Sequence, residues 1–143
     1  MAVIDNTTVA KVLTNIGHLL EIQGANPFKI RAYRNAADMV GHMAERVADL
    51  TNAEIRTIPG IGKDLTTKIR ELVDTGSLGY YEEFRQEFPL ALLDLLSLQG
   101  VGPKTVAVLY RELGIDSLDA LETAAGAGHL RGMKGMGARK EQL

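Results

Sequence analysis

One pattern recurs three times in this chain: an apolar residue, any residue, Gly, an apolar residue, Gly, and a basic residue within three positions. It reads Ile58-Pro59-Gly60-Ile61-Gly62-Lys63, then Leu98-Gln99-Gly100-Val101-Gly102-Pro103-Lys104, then Met133-Lys134-Gly135-Met136-Gly137-Ala138-Arg139, with Lys140 next. Each copy follows one helical pattern and opens another, which places the glycines in a tight turn between two helices. Glycine accepts positive φ and lets a ligand come close to the backbone. The helix that starts after each turn presents unpaired N–H groups at the positive end of its dipole, a site suited to a phosphate. Lys63, Lys104, Arg139 and Lys140 add charge there, and Thr105 adds a hydroxyl. Such contacts hold a nucleic-acid backbone without reading bases, which implies binding that is independent of sequence and sensitive to salt.

Other readings of the glycines are weaker or bland. A P-loop needs Ser or Thr where Asp64 stands and Gly where Thr57 stands, and no strand precedes it. The dinucleotide fingerprint lacks its third glycine. The turns could also simply join packed helices in a domain that binds protein, and that alternative stays open.

The rest of the chain reads as helix throughout. Val9, Val12, Leu13, Ile16, Leu19 and Leu20 give a three-and-four apolar spacing over about Thr7 to Gly24. Pro27 suits the first turn of a second helix that carries Tyr33, Ala36, Ala37, Val40 and Met43. Thr51 and Glu54 form a capping box for a short third helix. A fourth runs from Gly62 to about Asp74, and more are expected at Tyr80 to Glu87, Pro89 to Leu98, Pro103 to Leu113 and Ser117 to Ala125. Sustained alternation is missing, so the predicted fold is all α. The break at Thr75 to Gly79 divides the chain into units at 1–76 and 77–143.

A net charge of −2 gives no general attraction to nucleic acid, so contact must come from local basic clusters. Lys29, Arg31 and Arg34 form one such cluster without an acid, whereas the stretch from Glu71 to Asp94 is acidic. With no cysteine and only His18, His42 and His129, neither a disulfide nor a zinc site is expected. No apolar run approaches the roughly 20 residues of a membrane span, and no signal peptide is visible, which leads us to expect a cytoplasmic protein without a membrane partner.

The words Asn26-Pro27-Phe28-Lys29-Ile30-Arg31-Ala32-Tyr33-Arg34-Asn35-Ala36-Ala37, with the turns at Ile58 to Lys63 and Gly100 to Thr105, resemble the opening region of bacterial family X DNA polymerases along nearly the whole chain. The resemblance implies a 5′-phosphate-binding, lyase-type domain like that of polymerase beta, followed by helix-hairpin-helix elements that grip DNA flanking a gap in repair. It places Lys29 and Tyr33 in the phosphate pocket, on one helix face at i, i+4. It aligns Lys68 with the lysine that forms a Schiff base with an abasic sugar. Asp64 stands where the polymerase beta-like domain has a lysine, and its i, i+4 spacing to Lys68 favours an ion pair that keeps the amine protonated. A Schiff base needs the neutral amine, so Lys68 reads equally as a catalytic residue or as one half of a solvated pair. Tyr33 could likewise be a core residue with its hydroxyl at the surface, and Phe28 and Ile30 read as packing residues.

The same resemblance implies a monovalent cation, Na⁺ or K⁺, at the carbonyls of Arg56, Ile58 and Ile61, and another at Leu96, Leu98 and Val101. No other cofactor is implied. The paired-aspartate polymerase motif and the histidine-rich phosphoesterase domain are absent from these residues, so downstream polymerase domains are expected on a longer chain. The expected partner is gapped, 5′-phosphorylated DNA.

Overall fold

Val9, Leu13, Ile16, Leu19 and Leu20 recur on one side of α1 (Asn6–Gln23), and each is essentially inaccessible to solvent in the computed structural model, which describes residues 4–126. Asp5 caps this helix by accepting from the Thr8 N–H at 2.8 Å, and Gly24 ends it in the left-handed region at φ 82°. Pro27 sits in the first turn of α2 (Pro27–Gly41), with Asn26 accepting from the Phe28 N–H at 2.8 Å. α2 stops short of Met43, which the apolar spacing had included; after it the chain is pinned to α1, because Asn6 donates to the Glu45 carbonyl at 2.6 Å and accepts from the Val47 N–H at 2.8 Å.

A 3-10 turn at Val47–Asp49 leads into α3 (Asn52–Arg56). Its capping box is complete: the Thr51 N–H donates to Glu54 at 2.9 Å and the Glu54 N–H donates to the Thr51 hydroxyl at 3.2 Å. The bond from the Thr51 N–H holds the Glu54 carboxyl below its ordinary range. α4 (Lys63–Thr75) ends at Gly76, φ 80°, and α5 (Gly79–Glu87) follows. Glu71 on α4 accepts from the Gly79 N–H at 2.8 Å, which fixes the angle at which α5 departs.

The expected helix from Pro89 to Leu98 is only one α turn, α6 (Leu92–Leu95). Around it the backbone closes three-residue bonds, Leu92 N–H to Pro89, Leu93 to Leu90, Asp94 to Ala91, Ser97 to Asp94 and Leu98 to Leu95, so the chain winds tightly rather than as an α-helix. α7 (Pro103–Leu113) and α8 (Leu118–Gly126) complete the described residues, among which there is no strand. The fold is all α.

α1 is the common support. It packs most extensively against α2 and also touches α4, α5, α6 and α7. Leu13, Ile16, Leu20, Val40, Ile55, Ile69, Leu92, Leu95 and Leu109 are each at most 1% exposed in one continuous core. Each such side chain contributes roughly 1.5–3 kcal/mol through burial, so the core and not the turns holds the hairpins in place.

Candidate nucleic-acid interface

Two of the three glycine turns fall within the described residues, and they have the same backbone course. In the first, between α3 and α4, Gly60 takes φ 84°, the Ile61 N–H donates to the Ile58 carbonyl at 3.0 Å, and Gly62 stands extended at φ −95°, ψ −167° as the N-cap of α4. In the second, between α6 and α7, Gly100 takes φ 80°, the Val101 N–H donates to Leu98 at 3.2 Å, and Gly102 is the N-cap at φ −108°, ψ 179°. The third turn, with Gly135, Gly137, Arg139 and Lys140, lies outside the described residues.

The glycines divide the work. The first of each pair is needed for its left-handed backbone. The second is not: any residue adopts its conformation, and a Cβ there would meet nothing within 4 Å at Gly62 or Gly102. What a bare residue leaves at these two places is open access to the helix start. Neither α4 nor α7 has a side-chain cap, so the N–H groups of the first turn, those of α7 beginning at Lys104 because Pro103 has none, lack a capping acceptor. Lys63 and Lys104 are exposed in the first turn of each helix, with Thr105 half-buried beside Lys104. Ile58 and Leu98 use one lone pair of each carbonyl for the turn and keep one.

Five residues beyond Lys63 on α4, about 7 Å along the axis, Lys68 enters a second cluster. Its ammonium lies 4.8 Å from the centroid of the Tyr80 ring, and the Lys29 ammonium lies 5.2 Å from the same centroid. Tyr33 stacks on Tyr80 with centroids 5.9 Å apart and planes 18° from parallel, and Phe84 meets the Tyr80 ring edge-on at 5.1 Å. Lys29, Tyr33 and Lys68, nominated from α2 and α4, thus converge on one ring from α5. The acid noted in the sequence is there too: Lys68 is 2.7 Å from Asp64, with the lysine side chain 18% exposed and the aspartate 77%.

Tyr33 is 2% exposed, and its hydroxyl is buried without a hydrogen-bond partner. Burial pushes the pKa of this hydroxyl well above the ordinary tyrosine value, and Tyr80 and the Asp64 carboxylate reinforce the shift. It therefore stays an O–H donor that lacks an acceptor, a deficit of about 1–3 kcal/mol. Two ammonium groups from different helices, one of them paired with Asp64, thus lie at one aromatic ring that packs on the buried Tyr33.

The structure adds two facts to the sequence reading and changes one. Arg34 does not join this cluster, because it pairs with Glu21 of α1 and lines a separate cleft with Pro27, Ile30 and Arg31. Phe28, read as packing, is 75% exposed, with the Arg31 guanidinium 5.3 Å from its ring centroid. Tyr80 was not singled out at all, because apart from Phe84 the side chains around it, Lys29, Tyr33 and Lys68, lie on α2 and α4. Among the described residues there is no cluster of metal-binding side chains, and no helix is long and apolar enough to cross a membrane.

Residues 4–78 match the helix-hairpin-helix domain family, and residues 92–143 match the SAM-like helix-hairpin-helix tandem. Over 134 residues, 94% of this chain, the sequence is 31% identical to DNA polymerase/3′-5′ exonuclease PolX of Bacillus subtilis (strain 168). Over 92 residues, 64% of this chain, it is 30% identical to DNA polymerase lambda of Arabidopsis thaliana. The aligned parts are 23% and 17% of those two proteins, so the chain spans less than a quarter of either relative.

Proposed function

Because the chain belongs to the helix-hairpin-helix domain family and is similar to the N-terminal region of family X DNA polymerases, we propose that it grips DNA by its phosphates and seats the 5′-phosphate of a gap. The observation that carries the reading is the pair of equivalent turns. Each points an uncapped helix start, a bare second glycine and an exposed lysine at the same kind of ligand. Nothing in such a grip senses a base edge, so every duplex of the same length offers it the same contacts. A monovalent cation held by the carbonyls of Arg56, Ile58 and Ile61, and by those of Leu96, Leu98 and Val101, would tie each turn to a phosphate oxygen. In this proposal the chain is the DNA-holding part of a repair polymerase.

The pocket around Lys29, Tyr33 and Lys68 is assigned to the terminal phosphate, which carries more charge than an internal one. The test is equilibrium binding to gapped DNA with and without a 5′-phosphate. Charge-assisted hydrogen bonds are worth about 1.5–3 kcal/mol, so the phosphate should tighten binding roughly tenfold or more, and Lys29→Ala should remove most of that gain. Equal binding of both gaps by the unmodified protein would reject the pocket. DNA binding too weak to measure, with capture of a repair protein instead, would favour an adaptor.

A second reading is deoxyribose-phosphate lyase chemistry through Lys68, favoured by the position of its amine beside Lys29 and Tyr33. Attack on the sugar aldehyde would form an imine and lead to β-elimination, but only from the neutral amine. Lys68 is bonded to Asp64 at 2.7 Å and must leave that partner to reach a sugar aldehyde, so binding is the primary proposal.

A further inference from the structure

Lys29 and Lys68 sit on different helices, each ending in a long flexible stem, and yet both ammonium groups lie within about 5 Å of one ring centroid. No carboxylate bridges them: Asp64 contacts Lys68, and Lys29 has no ion-pair partner among the described residues. The ring they share belongs to Tyr80, which stacks on the buried Tyr33 and packs nearly perpendicular to Phe84. Its backbone position is held too, through Gly79 bonded to Glu71 and Leu78 buried at 2%. Lys29 and Tyr80 also line a cleft with Gln23, Phe84 and the carboxylates of Glu83 and Glu87, which repel an anion from that side.

We propose that Tyr80 is the positioning residue of the phosphate pocket: its ring face gathers the Lys29 and Lys68 ammonium groups above the buried Tyr33 hydroxyl before the phosphate arrives. This rests on the assignment of the pocket to a 5′-phosphate. Two ammonium groups repel each other, and Lys29, which unlike Lys68 has no carboxylate partner among the described residues, would otherwise swing into water. A ring face attracts both, since the aromatic quadrupole is negative there. The rotamer freedom of the two lysines is then lost on folding rather than on binding, and the phosphate meets donors already aimed. A lysine has three N–H donors and no acceptor, so each ammonium can keep the ring face and still bond to a phosphate oxygen.

The experiment measures the ratio of affinities for gapped DNA with and without a 5′-phosphate, for the unmodified chain, Tyr80→Phe and Tyr80→Leu. Tyr80→Phe keeps the ring and should keep the ratio. Tyr80→Leu keeps an apolar contact for Phe84 but has no ring face, and should cut the ratio about fivefold, the equivalent of one exposed cation–π contact. Circular dichroism and thermal melting check that both variants fold. Proton NMR gives an independent readout: ring current should shift the ε-methylene protons of Lys29 and Lys68 upfield in the unmodified and Tyr80→Phe chains, and the shift should vanish in Tyr80→Leu. If the unmodified chain prefers the phosphate and Tyr80→Leu retains or exceeds that preference, Tyr80 does not prepare the pocket. If the unmodified chain shows no phosphate preference, the pocket assignment falls and this proposal with it.

Discussion

Gly60 and Gly62 are two residues apart, and their replacement by alanine should have opposite consequences. At Gly60 an alanine must adopt φ 84°, which costs an L-residue about 1–2 kcal/mol, and its Cβ would run into the Asn35 amide. Asn35 bonds to the Pro59 carbonyl at 3.5 Å and must give up that contact to make room. For a chain of this size the loss should lower Tm by roughly 3–8 °C. At Gly62 the backbone is extended and the space is open, so alanine fits and reduces the freedom of the unfolded chain by about 0.4–1 kcal/mol. Its Tm should hold or rise. Its methyl group, however, would stand between a phosphate and the start of α4, where a charge-assisted bond of about 1.5–3 kcal/mol is at stake, so the duplex Kd should rise about tenfold. Differential scanning calorimetry and fluorescence anisotropy on the same preparations separate the two effects. If Gly62→Ala melts as early as Gly60→Ala, or binds DNA as tightly as the unmodified chain, the division of labour between the glycines is refuted.

Binding to two unrelated duplexes should be equal and should weaken linearly on a log–log salt plot, with a slope of about −0.9 for each phosphate contacted; a flat response would remove phosphate contact from the account. Borohydride trapping on a 5′-deoxyribose-phosphate substrate should be weak for the unmodified chain and stronger for Asp64→Asn, which removes the acid bonded to Lys68. Robust trapping by the unmodified chain that disappears in Lys68→Ala would make the lyase reading primary.

Both described hairpins were legible in the sequence, because a glycine turn between two helices is built from neighbouring residues. The capping box at Thr51 and Glu54 was legible for the same reason. The side-chain cluster around Tyr80 was legible in part. The i, i+4 spacing put Lys29 and Tyr33 on one face and paired Asp64 with Lys68, and the structure contains that pair. Tyr80 escaped notice because its role depends on the direction α5 takes after Gly76, which the bond from Gly79 to Glu71 sets. The pairing of Arg34 with Glu21 was not legible, because the two residues lie on different helices. α6 was drawn too long because its leucines are compatible with either winding, and only the three-residue hydrogen bonds distinguish them.

The central position of α1 has a cost during synthesis. This helix leaves the ribosome before any other described helix, with Val9, Leu13, Ile16, Leu19 and Leu20 all needing cover. α2 arrives soon after and shields one side. The other side is covered only in steps by α4, α5, α6 and last α7, where the bond from Arg111 to the Gln23 carbonyl closes a loop between residues 88 positions apart. Closing so long a loop is slow because its entropy is lost before the contacts form. Until then the nascent chain carries a strip of bare hydrocarbon, the kind of surface that chaperones hold.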